Sequence, residues 1–196
     1  MLILTAAQRR FAGYGFSKVT MDEIALDVGM AKASLYYYYP TKEDIFRAVI
    51  KKEQGAFLGH MAALLKQPAP PERKLREYVH HRSRLSRELS NLTFLGSQSW
   101  QDLKPIFKDL FKTFSSKEKH LLTGIIREGN EAGAFEAASP EKTASLILHA
   151  LQGLRFRYFH SLESVAAAAA HIEDLEKDTH LLIETLLTGI LKRKYD

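Results

Sequence analysis

The apolar residues of this chain are spaced like those of helices almost from end to end. They recur at intervals of three and four residues, whereas β-branched residues never alternate with polar ones over a useful length. Of the 196 residues, 45% are hydrophobic and 26% are charged, which is ordinary for a globular chain that buries its own core. The pattern therefore predicts an all-α fold.

Composition and simple motifs exclude several classes of site. Because the chain has no cysteine, it has no disulfides, zinc–thiolate sites, iron–sulfur clusters or cysteine nucleophiles. Gly-x-Ser-x-Gly motifs and phosphate-binding glycine loops are absent as well, so we predict no catalytic residues, no cofactor and no enzyme. No apolar run reaches the roughly 18 residues of a membrane span, and Arg9 and Arg10 interrupt any signal-peptide layout. We predict a cytoplasmic protein without a membrane partner.

The segment from residue 21 to residue 40 has the pattern of two short helices joined by a tight turn. Thr20 and Glu23 have the spacing of a capping box at the start of the first helix. Gly29 supplies the backbone freedom that a turn of three or four residues needs. This arrangement predicts a helix-turn-helix. Its inward-facing residues are Ile24, Ala25, Val28, Leu35 and Tyr38.

The outward face of the second helix suits contact with DNA. Lysine donates to phosphate or guanine, alanine can touch a thymine methyl, serine can donate or accept, and tyrosine hydroxyls suit phosphate oxygens. An ordinary helical hairpin with surface tyrosines, which does not bind DNA, would have the same spacing. The four successive tyrosines at 36–39 cannot all face the core, however, and a patch of exposed aromatic residues indicates contact with another molecule. The net charge of +5 is spread along the chain and does not locate the site. The predicted groove-facing residues are Lys32, Ala33, Ser34, Tyr36 and Tyr37.

Residues 3–50 resemble the DNA-binding domain of the TetR family of bacterial transcriptional repressors. The resemblance implies a ligand-responsive repressor that binds a double-stranded DNA operator as a homodimer, and it implies that Thr20 and Lys42 bind phosphate at helix starts. Ala31 departs from the family's usual serine or threonine, so the second helix lacks a side-chain cap. Ala33 and Tyr37 replace a common glycine and a common histidine, which affects the operator sequence. The matching residues are Ile3-Leu4-Thr5-Ala6-Ala7, Phe11, Gly15-Phe16, Thr20, Ile24-Ala25, Gly29, Lys32, Leu35-Tyr36, Tyr38 and Thr41-Lys42-Glu43.

The resemblance also implies a division into a helix-turn-helix domain, residues 1–50, and a helical domain, residues 51–196, that dimerises and binds an unknown small-molecule effector. Two late segments have the broad apolar stripes that a four-helix interface between two subunits needs. The same stripes also fit an intramolecular core, and the two interpretations are compatible. The predicted interface residues are Ile147, Leu151, Leu154, Tyr158, Leu182, Ile183, Leu186, Leu187 and Ile190.

Aromatic residues of the second part of the chain are candidates for lining an effector pocket. An apolar or aromatic effector would need such a lining, although any one of these rings is equally well explained as core filler. The candidates are Phe57, Phe94, Trp100, Phe107, Phe111, Phe114 and Phe156.

Two alternative functions stay open at this point. One is a helical metalloenzyme of the di-iron carboxylate type, because Glu77 and His80 have the Glu-x-x-His spacing of such bundles. A second such pair is missing from the sequence, so we predict no metal site. The other alternative is a helix-turn-helix protein that has lost DNA binding. The presence of Lys32, Tyr36 and Lys42 argues against it.

Overall fold

The computed structural model describes residues 2–88, 97–159 and 165–190, with side chains in the same ranges except at 85–88, 97–107, 159 and 165–172. All regular secondary structure in these ranges is α-helix, so the predicted all-α fold is confirmed. The helices are α1 (Leu2–Tyr14), α2 (Met21–Asp27), α3 (Lys32–Tyr38), α4 (Lys42–Leu65), α5 (Pro71–Glu88), α6 (Ser97–Glu131), α7 (Pro140–Phe159) and α8 (Val165–Ile190).

The sequence predicts that α6 begins at about Pro105 and α8 at about Ile172, and both helices begin earlier. Helix α6 begins at Ser97 and continues through Pro105, where we expected its first turn. A proline removes one backbone donor, and this 35-residue helix packs against α4, α5 and α7 along its length. Helix α8 begins at Val165 rather than near Ile172, because it includes the strongly helix-forming alanines at 166–170.

The first hydrophobic core is built by helices α1 to α4. Phe11 and Phe46 are buried in it and the half-buried Phe16 packs against it, with Phe46 meeting Phe11 and Phe16 edge to face at centroid distances of 5.1 and 5.0 Å. Leu110, which belongs to α6, completes this core from the other part of the chain. The remaining buried members are Ala7, Val19, Met21, Ile24, Ala25, Leu35, Ile45, Val49 and Ile50.

The second hydrophobic core lies between α4, α5, α6, α7 and α8. Its buried members run from Phe57 and Met61 on α4 to Ile183 and Leu187 on α8. Helix α4 has 24 residues, so its first half packs into the first core and its second half into the second. The change from one core to the other falls within a continuous helix, between Ile50 and Phe57.

Candidate nucleic-acid interface

Local hydrogen bonds fix the two short helices of the helix-turn-helix. The backbone N–H of Glu23 donates to Thr20 Oγ1 at 3.3 Å, and the backbone N–H of Thr20 donates to the Glu23 carboxylate at 2.8 Å, which confirms the predicted capping box. Gly29 has a φ of +64°, a conformation that costs glycine little. Ala31 precedes α3 without a side-chain cap, as predicted. The start of α3 therefore depends on packing more than on capping.

Helix α3 turns one leucine inward and its other side chains outward. Leu35 has no exposed surface, whereas Tyr37 is 85% exposed and Tyr36 is also at the surface. The N-terminal turn of the helix is equally open to solvent. The outward face therefore brings together the five predicted groove-facing residues, Lys32, Ala33, Ser34, Tyr36 and Tyr37.

The prediction that Tyr38 faces the core is wrong. Tyr38 is 60% exposed and meets Tyr37 edge to face at 5.6 Å, while the next ring, Tyr39, packs against the first core. The reason is the end of α3. Tyr39 has an extended backbone, with φ −137° and ψ 102°, so its ring no longer follows the helical period that the sequence pattern assumes.

Lys32 forms an ion pair with Asp22 across the turn. Its ammonium lies 2.8 and 2.9 Å from the two carboxylate oxygens of Asp22, and both side chains are more exposed than buried. This hydrogen bond raises the pKa of Lys32 above its usual value. The pair holds the ammonium near the first turn of α3, and a DNA phosphate or base would have to compete with Asp22 for it.

The Lys42 ammonium lies against the backbone of the loop between α1 and α2. Its Nζ donates to the carbonyl oxygens of Phe16 and Val19, both at 2.9 Å, and lies 4.4 Å from the centre of the Phe16 ring. An ammonium has three N–H bonds, so these two carbonyls leave the third for a phosphate. The structure thus gives Lys42 a loop-fastening role that the sequence did not indicate.

A second contact missed in the sequence joins α1 to α2. The Arg10 guanidinium donates to both oxygens of Asp27, at 2.6 and 2.7 Å, and lies 3.3 Å from the carboxylate of Glu23. The hydrogen bond from Arg10 lowers the pKa of Asp27. This bidentate pair links α1 to α2. The partners are 17 residues apart, and no periodicity connects them.

We expect Lys42→Met to lower the free energy of unfolding by about 1–3 kcal/mol, because two carbonyls lose a charged donor while the apolar stem is kept. The slope of DNA affinity against salt concentration should also fall by about one unit. Denaturant melts and salt titrations measure the two effects separately. Lys18→Met, an exposed lysine of the same loop, is the matched control for stability. An unchanged salt slope in Lys42→Met would leave the residue with the loop-fastening role alone.

Comparison with known proteins identifies this arrangement. Residues 3–49 match the family described as bacterial regulatory proteins, tetR family. The chain is also 39% identical to a transcriptional regulator of Cytophaga hutchinsonii whose crystal structure is known, covering 97% of each chain with a TM-score of 0.84. The chain belongs to the TetR family of transcriptional regulators. Its helix-turn-helix is therefore a DNA-binding element.

Two further relatives of this TetR-family regulator are less similar to it in sequence than the Cytophaga hutchinsonii protein is. The fatty acid metabolism regulator protein of Bacillus subtilis is 27% identical over 140 residues, which are 69% of this chain and 70% of that protein. The regulator RutR of Escherichia coli K12 is 26% identical over 134 residues, or 66% of this chain and 63% of RutR. The chain thus matches less than two thirds of RutR. These relatives are transcriptional regulators, a class of protein distinct from enzymes.

The predicted pocket aromatics of this TetR-family regulator do not form one group. Phe57 and Phe114 are buried and meet edge to face at 5.3 Å, and Phe111 lies 6.5 Å from Phe114. Phe156 is 62% exposed, because α7 turns this position outward, so it does not line an interior pocket. Phe94 and the side chains of Trp100 and Phe107 lie outside the described residues.

Four of the nine predicted interface residues of this regulator lie in its own second core. Ile147, Leu151, Ile183 and Leu187 are buried where α7 and α8 pack against the rest of the subunit, so they have no surface to offer a partner. For these four residues the structure favours the intramolecular core over the interface as the interpretation of the two apolar stripes. The other five are half-buried: Leu154, Tyr158, Leu182, Leu186 and Ile190.

Glu77 lies beside His81, the residue that follows the His80 of the Glu-x-x-His spacing. Glu77 lies 3.5 Å from Nε2 of His81, and the other ring nitrogen of His81 lies 3.3 Å from Nε2 of His60. Within the described ranges, no group of three or more histidine or carboxylate side chains is placed to hold a metal ion.

A helix that spans a membrane must be both long and apolar. None of the helices that the structure describes is both long and apolar enough to cross a bilayer.

Proposed function

We propose that this TetR-family regulator is a homodimeric repressor that leaves its DNA operator when a small molecule binds its helical part. The outer face of α3 carries the proposal. There, Lys32, Tyr36 and Tyr37 project from a helix whose orientation is fixed by the fully buried Leu35. A helix that exposes donors along one face and buries a single anchor on the other is suited to the major groove.

In the proposed complex the first turn of α3 faces the base edges. Lys32 would leave Asp22 to donate to a guanine or a phosphate, and Ser34 would donate to or accept from a neighbouring base. Ala33 would allow close approach and contact a thymine methyl. The tyrosine hydroxyls would hold phosphate oxygens. Thr20 and the third N–H of Lys42 would bind phosphates of the DNA backbone at the starts of α2 and α4.

The outward faces of α7 and α8 are the proposed dimer interface. Leu146 and Phe156 on α7 and Leu181 on α8 are large apolar side chains that the single chain leaves mostly exposed. A Cβ atom placed on Gly153 or Gly189 would meet no atom within 4 Å, so helices of a partner can approach closely there. Two helices from each subunit would form a four-helix interface. It would place the two α3 helices about 34–36 Å apart, in successive major grooves.

Helix α6 supports a coupling between effector and DNA. Leu110, Phe114 and Glu118 lie on successive turns of one face of α6, with Leu110 in the first core and the other two buried in the second. The Gln54 side chain of α4 donates to the Leu110 carbonyl at 3.4 Å. A ligand that displaced α6 would therefore move a member of the helix-turn-helix core. We accordingly treat 1–50 and 51–196 as functional units joined through α4 and α6.

The proposed DNA contacts are tested with an operator selected from random duplexes. Tyr36→Phe removes one hydroxyl and keeps the ring, so affinity should fall by about 0.5–1.5 kcal/mol with little change in sequence preference. Fluorescence anisotropy titrations measure the loss. Tyr14→Phe, on an exposed tyrosine of α1, is the matched control and should bind like the wild type. Failure of the wild type to enrich any sequence would contradict the proposal.

A further inference from the structure

A buried carboxylate on α6 receives two hydrogen bonds on the same oxygen. Tyr78 Oη and Arg82 Nε, both on α5, donate to Glu118 Oε1 at 2.9 and 2.8 Å. All three residues are buried, and Glu118 has no exposed surface. Burial and the nearby Glu118 charge raise the pKa of Tyr78 well above its usual value, so its hydroxyl keeps the proton that it donates. Oε1 of Glu118 therefore already accepts two hydrogen bonds.

The second oxygen of Glu118 is different. Oε2 is buried, yet it accepts no hydrogen bond in the part of the chain that the structure describes. A buried carboxylate oxygen without a donor is costly, and such atoms in folded proteins are normally satisfied by water or by a ligand. Oε2 can therefore accept a hydrogen bond from one more donor.

The charges around Glu118 limit what that donor can be. The Arg155 guanidinium of α7 interacts with both Arg82 and Glu118. Desolvation, with repulsion from Arg82 added to it, lowers the pKa of Arg155 to about 10. Two guanidinium groups oppose the approach of a cation, and the carboxylate oxygen itself opposes an anion. A neutral O–H or N–H donor avoids both penalties.

An aromatic wall adjoins this polar site. Phe114 precedes Glu118 by one helical turn on the same face of α6, and its ring meets Phe57 of α4 edge to face at 5.3 Å. Both phenylalanines are buried. A ligand that reached Glu118 would thus have an apolar or aromatic body beside these rings.

We propose that Glu118 Oε2 accepts a hydrogen bond from the effector, and that the effector is a neutral molecule with an O–H or N–H donor on an apolar or aromatic body. The proposal rests on the ligand response proposed above, since it names the chemistry of that ligand. Tyr78 and Arg82 act as positioning residues, because they hold Oε1 and leave Oε2 as the oxygen that can accept from the ligand.

The test compares four molecules that share one ring: benzyl alcohol, toluene, benzoate and benzylammonium. Isothermal titration of the wild-type protein should show benzyl alcohol binding about tenfold or more tighter than each of the other three. Toluene lacks the donor, benzoate places a negative charge beside Glu118, and benzylammonium places a positive charge beside two arginines. This series needs no variant, so it decides the proposal even where a substitution prevents folding.

Glu118→Gln should invert the preference. Its amide oxygen can still accept from Tyr78 and Arg82, which leaves an NH2 group where Oε2 stood. We expect benzyl alcohol to lose about tenfold in affinity and benzoate to become the tightest of the four. Glu128→Gln is the matched control, since it removes the same charge from the same helix at an exposed site paired with Lys74 at 2.7 Å.

Three results would overturn the proposal: toluene binding as tightly as benzyl alcohol, a charged molecule binding tightest to the wild type, or no binding by any of the four. The last would make Glu118 part of a structural ion pair only. Operator binding is titrated separately, without these molecules. Its absence would contradict the regulatory function and leave the ligand preference unaffected, so the two failures can be told apart.

Discussion

Replacing Leu35 with alanine should lower the free energy of unfolding by about 2–5 kcal/mol. Leu35 is the one fully buried side chain of α3, a helix of seven residues whose N-cap residue, Ala31, has no side chain that can cap it. Because the cavity would form beneath the helix, the loss should also weaken operator binding. Denaturant melts followed by circular dichroism, beside an operator titration, measure both effects.

The control for Leu35→Ala is Leu26→Ala in the neighbouring helix. Leu26 is 78% exposed on α2, so its truncation should change stability by less than about 0.5 kcal/mol. Equal losses in the two variants would mean that the helical phase assigned to α3 is wrong. The outward residues Lys32, Tyr36 and Tyr37 would then have no basis as DNA contacts.

The helix-turn-helix was predictable because its determinants are local. Thr20 and Glu23 are three residues apart, so their reciprocal hydrogen bonds can be inferred from spacing alone. Gly29 stands where the turn requires a positive φ, and Ala31 where a cap is missing. Periodicity also placed Leu35 inward and Tyr36 and Tyr37 outward. It did not predict Tyr38 correctly, because α3 ends at Tyr38 and the extended residue that follows, Tyr39, packs against the first core instead.

Contacts between distant segments could not be predicted in this way. Lys42 donates to carbonyls 23 and 26 residues away, and Arg10 pairs with a carboxylate 17 residues away. These contacts depend on how α1, α2 and α4 cross, which composition and spacing do not specify. The same holds for Glu118, whose two donors on α5 are 36 and 40 residues distant.

An apolar stripe in a sequence does not say which neighbour covers it. Ile147 and Leu187 belong to strong stripes, yet their own subunit buries them. Leu181 lies in the same helix as Leu187 and is left 66% exposed. The position of each helix on the second core therefore decides which apolar residues are available to a partner, and that position is known only from the fold.

Changing Leu181 to glutamate should convert the proposed dimer into a folded monomer. The single chain tolerates the charge at this exposed position, whereas a dimer interface on α7 and α8 would have to bury it beside Leu146 and Phe156 of the partner-facing surface. Burying an unpaired carboxylate costs far more than an interface of this kind can offset. Light scattering gives the mass in solution, and circular dichroism shows whether the helices are retained.

Leu26→Glu is the matched control, because it places the same charge on an exposed leucine of the helix-turn-helix. It should leave the mass of the dimer unchanged. The Leu181→Glu monomer should bind an operator with two half-sites much more weakly than the wild type, since only one α3 can then occupy a groove at a time. A folded dimer in the Leu181→Glu variant would place the interface on another surface, and an unfolded chain would mean that Leu181 supports the second core.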